Sequence, residues 1–254
     1  MLKLFKKEIE KGISEMCKAI GFKKKQYCFI KPIGANTTAV LNFGMVTHQL
    51  QGHIYINVSV GVSNKNVEAL YVNLTQTDNR IFTTTIKLQI GYLTPEDSYK
   101  EWDFIEGADN TTVFEDILEH IQSYGFAYFE KMKDFDNLFK AFEVRSPGLL
   151  NISRDKRLPI LYYIRGEKEK GIEFINEAIE RMSRRPTDEE LLAGRDPQST
   201  IILRAGEGPK LTGDEMEKML KSLPSGGSLQ IVGAGCNGEV DPEYLKFAER
   251  YKAL

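Results

Sequence analysis

Alternating apolar and polar residues between positions 27 and 93 predict an antiparallel β-sheet. Within 53–62, Ile54, Ile56 and Val58 alternate with Tyr55 and Asn57. A period of two buries one face of a strand and leaves the other face in water. The short Gly-containing connection after the second strand predicts a hairpin. The expected strands are 27–31, 38–48, 53–62 and 82–92.

Apolar residues that recur every three or four positions predict helices around this sheet. The first helix is expected at 2–20, with Gly21 as its left-handed stop. Asn64 is expected to cap a second helix over 65–74. The remaining helical features are a capping box at 112–115, an interruption at Gly125, short helices at 127–132 and 135–142, and a helical hairpin at 155–185 with a turn at Gly166.

Residues 196–254 predict a β-α-β-α order. Short strands are expected at 200–203 and 229–232, with a capping box at 212–215 between them and Asp241-Pro242 opening a final helix. The connection is long enough to join parallel strands. Because two strands alone make a poor sheet, we expect this segment to pack on the rest of the protein or on a second subunit.

The fold class predicted from these elements is α+β. An antiparallel sheet of about four strands is flanked by helices and followed by the helical hairpin and the small β-α-β-α tail. The expected divisions are a sheet domain at 1–147, the hairpin at 148–195 and the tail at 196–254.

The amino-acid composition limits the cellular compartment and the classes of partner that we expect. The chain of 254 residues has 34 basic and 36 acidic side chains and a net charge of −2, which predicts no nucleic-acid partner and no anionic membrane. No apolar run approaches the ~18 residues of a membrane span, and the charged N-terminus does not resemble a signal peptide. Cys17, Cys28 and Cys236 form no C-x-x-C pair, which indicates reduced thiols in a cytoplasmic protein.

Charge is less even locally. Residues 1–31 are rich in lysine, whereas residues 96–119 hold one base, Lys100. Such segregation creates a field that can steer a charged partner, although a solvated face has the same pattern. The acidic residues of this segment are Glu96, Asp97, Glu101, Asp103, Glu106, Asp109, Glu115, Asp116 and Glu119.

A glycine-rich hexapeptide after the 229–232 strand matches the dinucleotide-binding fingerprint through Gly233, Gly235 and Gly238. In that motif the helix begins at the glycines, because its N-terminal amides hold the pyrophosphate. Here the helix is expected only at Pro242. A flexible turn is therefore favoured, and a ligand site at these glycines stays an alternative.

His48 and His53 flank the hairpin connection and are candidate metal ligands. The further ligands such a site needs, His120, Cys28 or Glu68, are distant in sequence. Ordinary hairpin histidines are therefore favoured over a metal site.

Catalytic signatures are sparse. The chain has three histidines, no G-x-S-x-G and no P-loop. Paired carboxylates at Glu115, Asp116 and Glu119 fit a hydrated helix face. We therefore predict no catalytic residues and no cofactor, and binding is favoured over catalysis.

Several motifs resemble a family of bacterial α+β domains of unknown function. The resemblance rests on the first helix, Gly21-Phe22, the hairpin ending at 54–57, the 86–93 stretch and Trp102, and it extends more weakly to residue 185. Some families of this kind lie beside polymorphic toxins and are suspected to contain immunity proteins. The resemblance therefore implies an immunity-like role, with a basic toxin as partner.

The sequence as a whole favours a non-enzymatic cytoplasmic protein-binding protein. Trp102 fits an interface anchor, although a half-buried Trp that seals the sheet edge is an equal alternative. Two other functions stay open. The protein could bind a small ligand or nucleotide, or be an enzyme, with a site near Gly233–Gly238. Alternatively, it could be a structural or oligomeric module. The predicted partner contacts are Glu101, Trp102, Asp103 and Asp116.

Overall fold

A computed structural model describes residues 2–47, 50–78, 80–146, 151–184, 187, 200–204, 228–232 and 240–254. The chain forms two compact units, Met1–Gly171 and Ile172–Leu254. The predicted boundaries at 147 and 195 stay predictions.

The first unit combines an antiparallel sheet with helices, which confirms the α+β class. Its strands are β1 (Lys23–Lys25), β2 (Cys28–Pro32), β3 (Thr37–Val46), β4 (His53–Asn64), β5 (Ile86–Gln89) and β6 (Trp102–Ile105). Its helices are α1 (Leu2–Ala19), α2 (Lys65–Thr75), α3 (Thr111–His120), α4 (Phe126–Lys133), α5 (Phe135–Glu143) and α6 (Asn151–Ile164). A 3₁₀ turn at Ile90–Leu93 follows β5, and a π turn at Ile121–Gly125 joins α3 to α4.

The long hairpin β3–β4 is the centre of the sheet. Strands follow the order β1-β2-β3-β4-β5, and β6 pairs with the first half of β4 while β5 pairs with its second half. The alternation predicted for 53–62 is confirmed by the register, which turns Ile54, Ile56 and Val58 into the core.

Helices cover the buried side of this sheet. The apolar stripe predicted for α1 is confirmed by burial of Phe5, Ile9 and Ile13. Phe114 of α3 lies edge-on to Phe104 of β6 with ring centroids 4.9 Å apart. A Cβ on Gly125 would lie 3.3 Å from Val60, so the π turn lies directly on β4.

The sheet has six described strands, whereas about four were expected. β1 was missed because its sequence is three exposed lysines with no alternation. β6 was missed because it has only four residues. The candidate strand 82–92 is too long, since β5 ends at Gln89, where the side-chain carbonyl of Gln89 accepts from the Gly91 amide and starts the 3₁₀ turn.

The predicted helix ends are confirmed at some positions and wrong at others. Asn64 caps α2 by accepting from the amides of residues 66 and 67, and Gly21 is left-handed with φ 85°. The capping box at 112–115 is wrong, because α3 begins at Thr111, whose amide donates to Asp109. Gly125 does not break the helix, since it ends the π turn in helical geometry.

The second unit contains most of α7 (Lys168–Ser183), together with β7 (Thr200–Arg204), β8 (Ser228–Val232) and α8 (Pro242–Lys252). β7 and β8 are parallel, as the length of their connection predicts. The Asp241 cap is confirmed, since its carboxylate accepts from the Glu243 amide. Tyr244, Phe247 and Tyr251 are the buried aromatic residues of α8.

Two of the three cysteines are described. Cys17 and Cys28 are free and buried. Burial raises the pKa of the Cys17 thiol to about 12, which keeps it protonated and unreactive. Of the helices in the described ranges, none has the length and apolarity that a membrane crossing requires.

Candidate functional site

The register of β4 gives the sheet a second side that solvent reaches. Residues that alternate with the buried ones are half-buried. We call this side the open face. It comprises His53, Tyr55, Asn57 and Ser59 of β4, Asn42 and Gly44 of β3, Asp103 and Ile105 of β6, and Tyr99 and Glu101 just before β6.

Gly44 allows a polar side chain to lie flat on the open face. It is paired with Asn57 across the hairpin. A Cβ at Gly44 would fall 2.5 Å from Oδ1 of Asn57, far inside van der Waals contact. Only glycine at position 44 leaves Asn57 this room.

An imidazole–carboxylate pair joins β4 to β6 on the open face. Asp103 is directly opposite Tyr55 in the ladder. Nδ1 of His53 lies 2.9 Å from both carboxylate oxygens of Asp103. The Tyr55 ring is nearly parallel to the His53 ring, with centroids 6.2 Å apart. This pair fixes the carboxylate beside an aromatic surface.

A second carboxylate on the open face is held by a tyrosine. The Tyr99 hydroxyl donates to Oε1 of Glu101 over 2.8 Å, and Tyr99 also contacts Asn57. Partial burial, followed by the hydrogen bond to Glu101, raises the pKa of Tyr99 to about 12. Tyr99 therefore stays a neutral donor, and the charge at this point belongs to Glu101.

Trp102 and Asp116 lie on the helix side of the sheet, opposite Glu101 and Asp103. Trp102 is 5% exposed, and its Nε1 donates to Oδ2 of Asp116 over 2.6 Å. Nζ of Lys100 lies 3.5 Å from the same oxygen. The four predicted contact residues therefore do not form one surface.

Charges around Asp116 stabilise its ionised form. Burial alone would raise the pKa of this carboxyl group. The Trp102 hydrogen bond and the charges of His120 and Lys100 outweigh burial and hold the pKa below its ordinary value. Asp116 therefore has a structural role, because it accepts the hydrogen bond of the buried Trp102 indole.

The remaining predicted residues belong to the glycine-loop and metal predictions. Gly233, Gly235, Gly238 and His48 lie outside the described residues. Across the described ranges, no three His, Cys, Asp or Glu side chains come close enough to hold a metal ion. The metal and glycine-loop predictions stay untested.

The residues that sequence reasoning missed are Tyr55, Tyr99 and the pairing of His53 with Asp103. The alternation of β4 already placed Tyr55 on the wet face. The partner of His53, by contrast, depends on β6 pairing with β4, which no local pattern specifies. Comparison with known protein families, curated proteins and solved structures found no match to this chain.

Proposed function

We propose that this protein is a non-enzymatic binding protein whose open face contacts a partner protein with a basic surface. One observation carries the proposal. Tyr55, Tyr99 and Ile105 offer aromatic and apolar surface beside two carboxylates, Glu101 and Asp103. Protein interfaces are enriched in aromatic residues and have a polar rim, which is the arrangement found here.

The direction of Lys100 supports a basic partner. Lys100 is the one base between residues 96 and 119. Its ammonium group pairs with Asp116 on the helix side. Within residues 96–119, no lysine therefore pairs with the carboxylates of Glu101 and Asp103. Complementary charge on a partner would speed its encounter with this face.

The hydrogen bonds of His53 favour binding over catalysis. An acid–base histidine needs a reacting group within hydrogen-bond reach. In the described part of the chain, the hydrogen bonds of the His53 ring go to Asp103, and no hydroxyl or thiol is bonded to it. The pair serves to orient Asp103 and Tyr55.

The resemblance seen in the sequence suggests a more specific version of this proposal, in which the protein has an immunity-like role. A toxin with a basic site would be blocked by a rigid acidic surface of opposite charge. The proposal concerns a cytoplasmic complex, and it needs no cofactor.

The test compares two charge-neutralising double variants in affinity capture from cells of the source organism. Glu101→Gln with Asp103→Asn removes both open-face charges and keeps an acceptor for Tyr99 and His53. Glu115→Gln with Glu119→Gln removes two charges from exposed positions of α3 and serves as the control. We expect wild type and the control to capture the same partner and the open-face variant to lose it.

Once the partner has been purified, the rate of its association with each variant can be measured. Neutralising both open-face charges should slow association roughly three- to tenfold at low salt, with little change for the control. Equal effects of the two variants would show a diffuse charge effect and overturn the open face as the contact surface. A partner captured equally by all three proteins would overturn it as well.

A further inference from the structure

A cavity lies on the helix side of the sheet, between β5, the 3₁₀ turn, the π turn and α4. Its volume is about 340 Å³, at the lower end of the ~300–1,000 Å³ range of small-molecule sites. Ile86, Leu88, Leu93 and Met132 provide apolar walls. The cavity belongs wholly to the first unit and is separate from the open face.

One stripe of the helical segment forms the wall opposite β5. Tyr124, Ala127, Tyr128 and Lys131 follow one another at the three- and four-residue spacing of a helix face, and all line the cavity. Tyr124 and Ser123 come from the π turn. π turns inside helices are frequent at functional sites, because the extra residue moves side chains out of the regular helical positions.

Tyr128 is the buried tyrosine that lines this cavity. The residue is 7% exposed, and within the described ranges no group hydrogen-bonds to its hydroxyl. Burial raises the pKa of the phenol, so it is a neutral O–H donor. A buried donor without an acceptor is unfavourable and rare in folded proteins.

Lys131 supplies a positive charge at the edge of the same cavity. Among the described residues no carboxylate lies within 4.0 Å of its ammonium group, whereas Lys133 on the same helix pairs with Glu130 at 2.6 Å. The described lining residues contain no Asp or Glu. Lys87 also lines the cavity, but the register turns its side chain toward the opposite side of the sheet, beside Gly61.

We infer that this cavity binds a small monocarboxylate with an aromatic or branched aliphatic body. The body packs between Leu88, Leu93 and Tyr124, and a carboxylate oxygen accepts the hydrogen bond from the Tyr128 hydroxyl. Lys131 neutralises the charge. Such a ligand accepts the hydrogen bond of the Tyr128 hydroxyl, pairs with the Lys131 ammonium group and packs against the apolar walls. A neutral hydrocarbon could do only the last of these.

The test is isothermal titration calorimetry on the full chain with three probes. They are 3-phenylpropionate, 4-methylpentanoate and the neutral control 3-phenylpropionamide. We expect at least one acid to bind, and 3-phenylpropionate to bind about tenfold or more tightly than its amide. Equal affinity for acid and amide, or no binding by either acid up to millimolar concentration, overturns the inference.

Matched variants assign the binding to the two polar residues. Tyr128→Phe and Lys131→Gln should each weaken 3-phenylpropionate about tenfold, which corresponds to about 1.4 kcal/mol. Lys140→Gln neutralises an exposed lysine of α5 that does not line the cavity and should leave affinity unchanged. Equal losses in all three variants would overturn the assignment.

Stability without ligand gives an independent readout. Tyr128→Phe removes a buried hydroxyl that has no partner, so the unliganded variant should resist urea at least as well as wild type. A clear loss of stability would mean that the hydroxyl has a structural partner and would overturn its role in ligand binding. The calorimetry and the urea unfolding both test the cavity independently of the open face, because the cavity variants leave Glu101 and Asp103 intact.

Discussion

The buried ion pair between α2 and α6 offers the sharpest test of the fold. Arg157 binds Glu68 in a bidentate manner, with Nε–Oε1 at 2.9 Å and Nη2–Oε2 at 3.0 Å. The side chains of Arg157 and Glu68 are only 8% and 9% exposed. The guanidinium also lies 4.0 Å from the Tyr71 ring centroid and donates to Ser153. Through these contacts Arg157 links the two helices.

Glu68→Ala should destabilise the first unit strongly. The substitution leaves a guanidinium charge in a site from which water is excluded. Removing one member of a buried pair costs about 3–5 kcal/mol, which is a large part of the ~5–15 kcal/mol that stabilises a typical domain. Urea unfolding followed by Trp102 fluorescence measures this loss, because Trp102 is the single tryptophan and belongs to the first unit.

Two controls separate the buried pair from ion pairs in general. Glu130→Ala breaks the exposed pair with Lys133, whose side chains are 41% and 63% exposed for lysine and glutamate, and should cost less than ~1 kcal/mol. Glu68→Leu with Arg157→Met replaces both charges by apolar groups and should cost much less than the single change. A loss below ~1 kcal/mol for Glu68→Ala would refute the reasoning.

Two further substitutions test other contacts in the first unit. Asp116→Ala should cost about 1 kcal/mol in urea at pH 7, at the low end of the ~1–3 kcal/mol expected when a buried donor loses its acceptor, because water reaches this carboxylate. The pKa of Asp116 in the folded protein is below its ordinary value of 3.8, so its contribution to stability is complete above pH 3.8 and falls as the pH drops through the folded pKa. The difference in unfolding free energy between wild type and Asp116→Ala should therefore narrow only below about pH 4. A difference that stays constant with pH would contradict this. Gly12→Ala should destabilise by about 1–3 kcal/mol, since the new Cβ would lie 2.4 Å from the Phe114 ring and overpacking outweighs the ~1 kcal/mol helix preference of alanine; a more stable variant would show that the ring yields.

The central strands could be predicted from sequence because their physics is local. A buried face needs apolar residues at every second position, and β4 has them from Ile54 to Val62. Helix caps such as Asn64 were predictable for the same reason, since the side chain bonds amides two and three residues away.

The candidate surface was harder to predict because it depends on strand pairing. Trp102 and Asp103 are neighbours in sequence, and both were predicted as partner contacts. In a strand, neighbouring side chains point to opposite faces. Once 102–105 pairs with β4, Trp102 enters the core and Asp103 reaches the open face. Four residues are too few for alternation alone to reveal this.

The cavity was invisible to sequence patterns for a related reason. Tyr124, Tyr128 and Lys131 read as an ordinary helix face, and the π turn has no sequence signature of its own. Only the position of α4 beside the edge strand β5 brings them together with Leu88.

Contact between the open face and a partner is tested most directly by site-specific photo-crosslinking. A photoreactive phenylalanine analogue in place of Tyr55 should form a covalent adduct with the basic partner upon irradiation. The same analogue in place of Glu119, on the exposed side of α3, should form none. Adducts at position 119 and none at position 55 would contradict the account, because the partner would then contact the helices and not the open face.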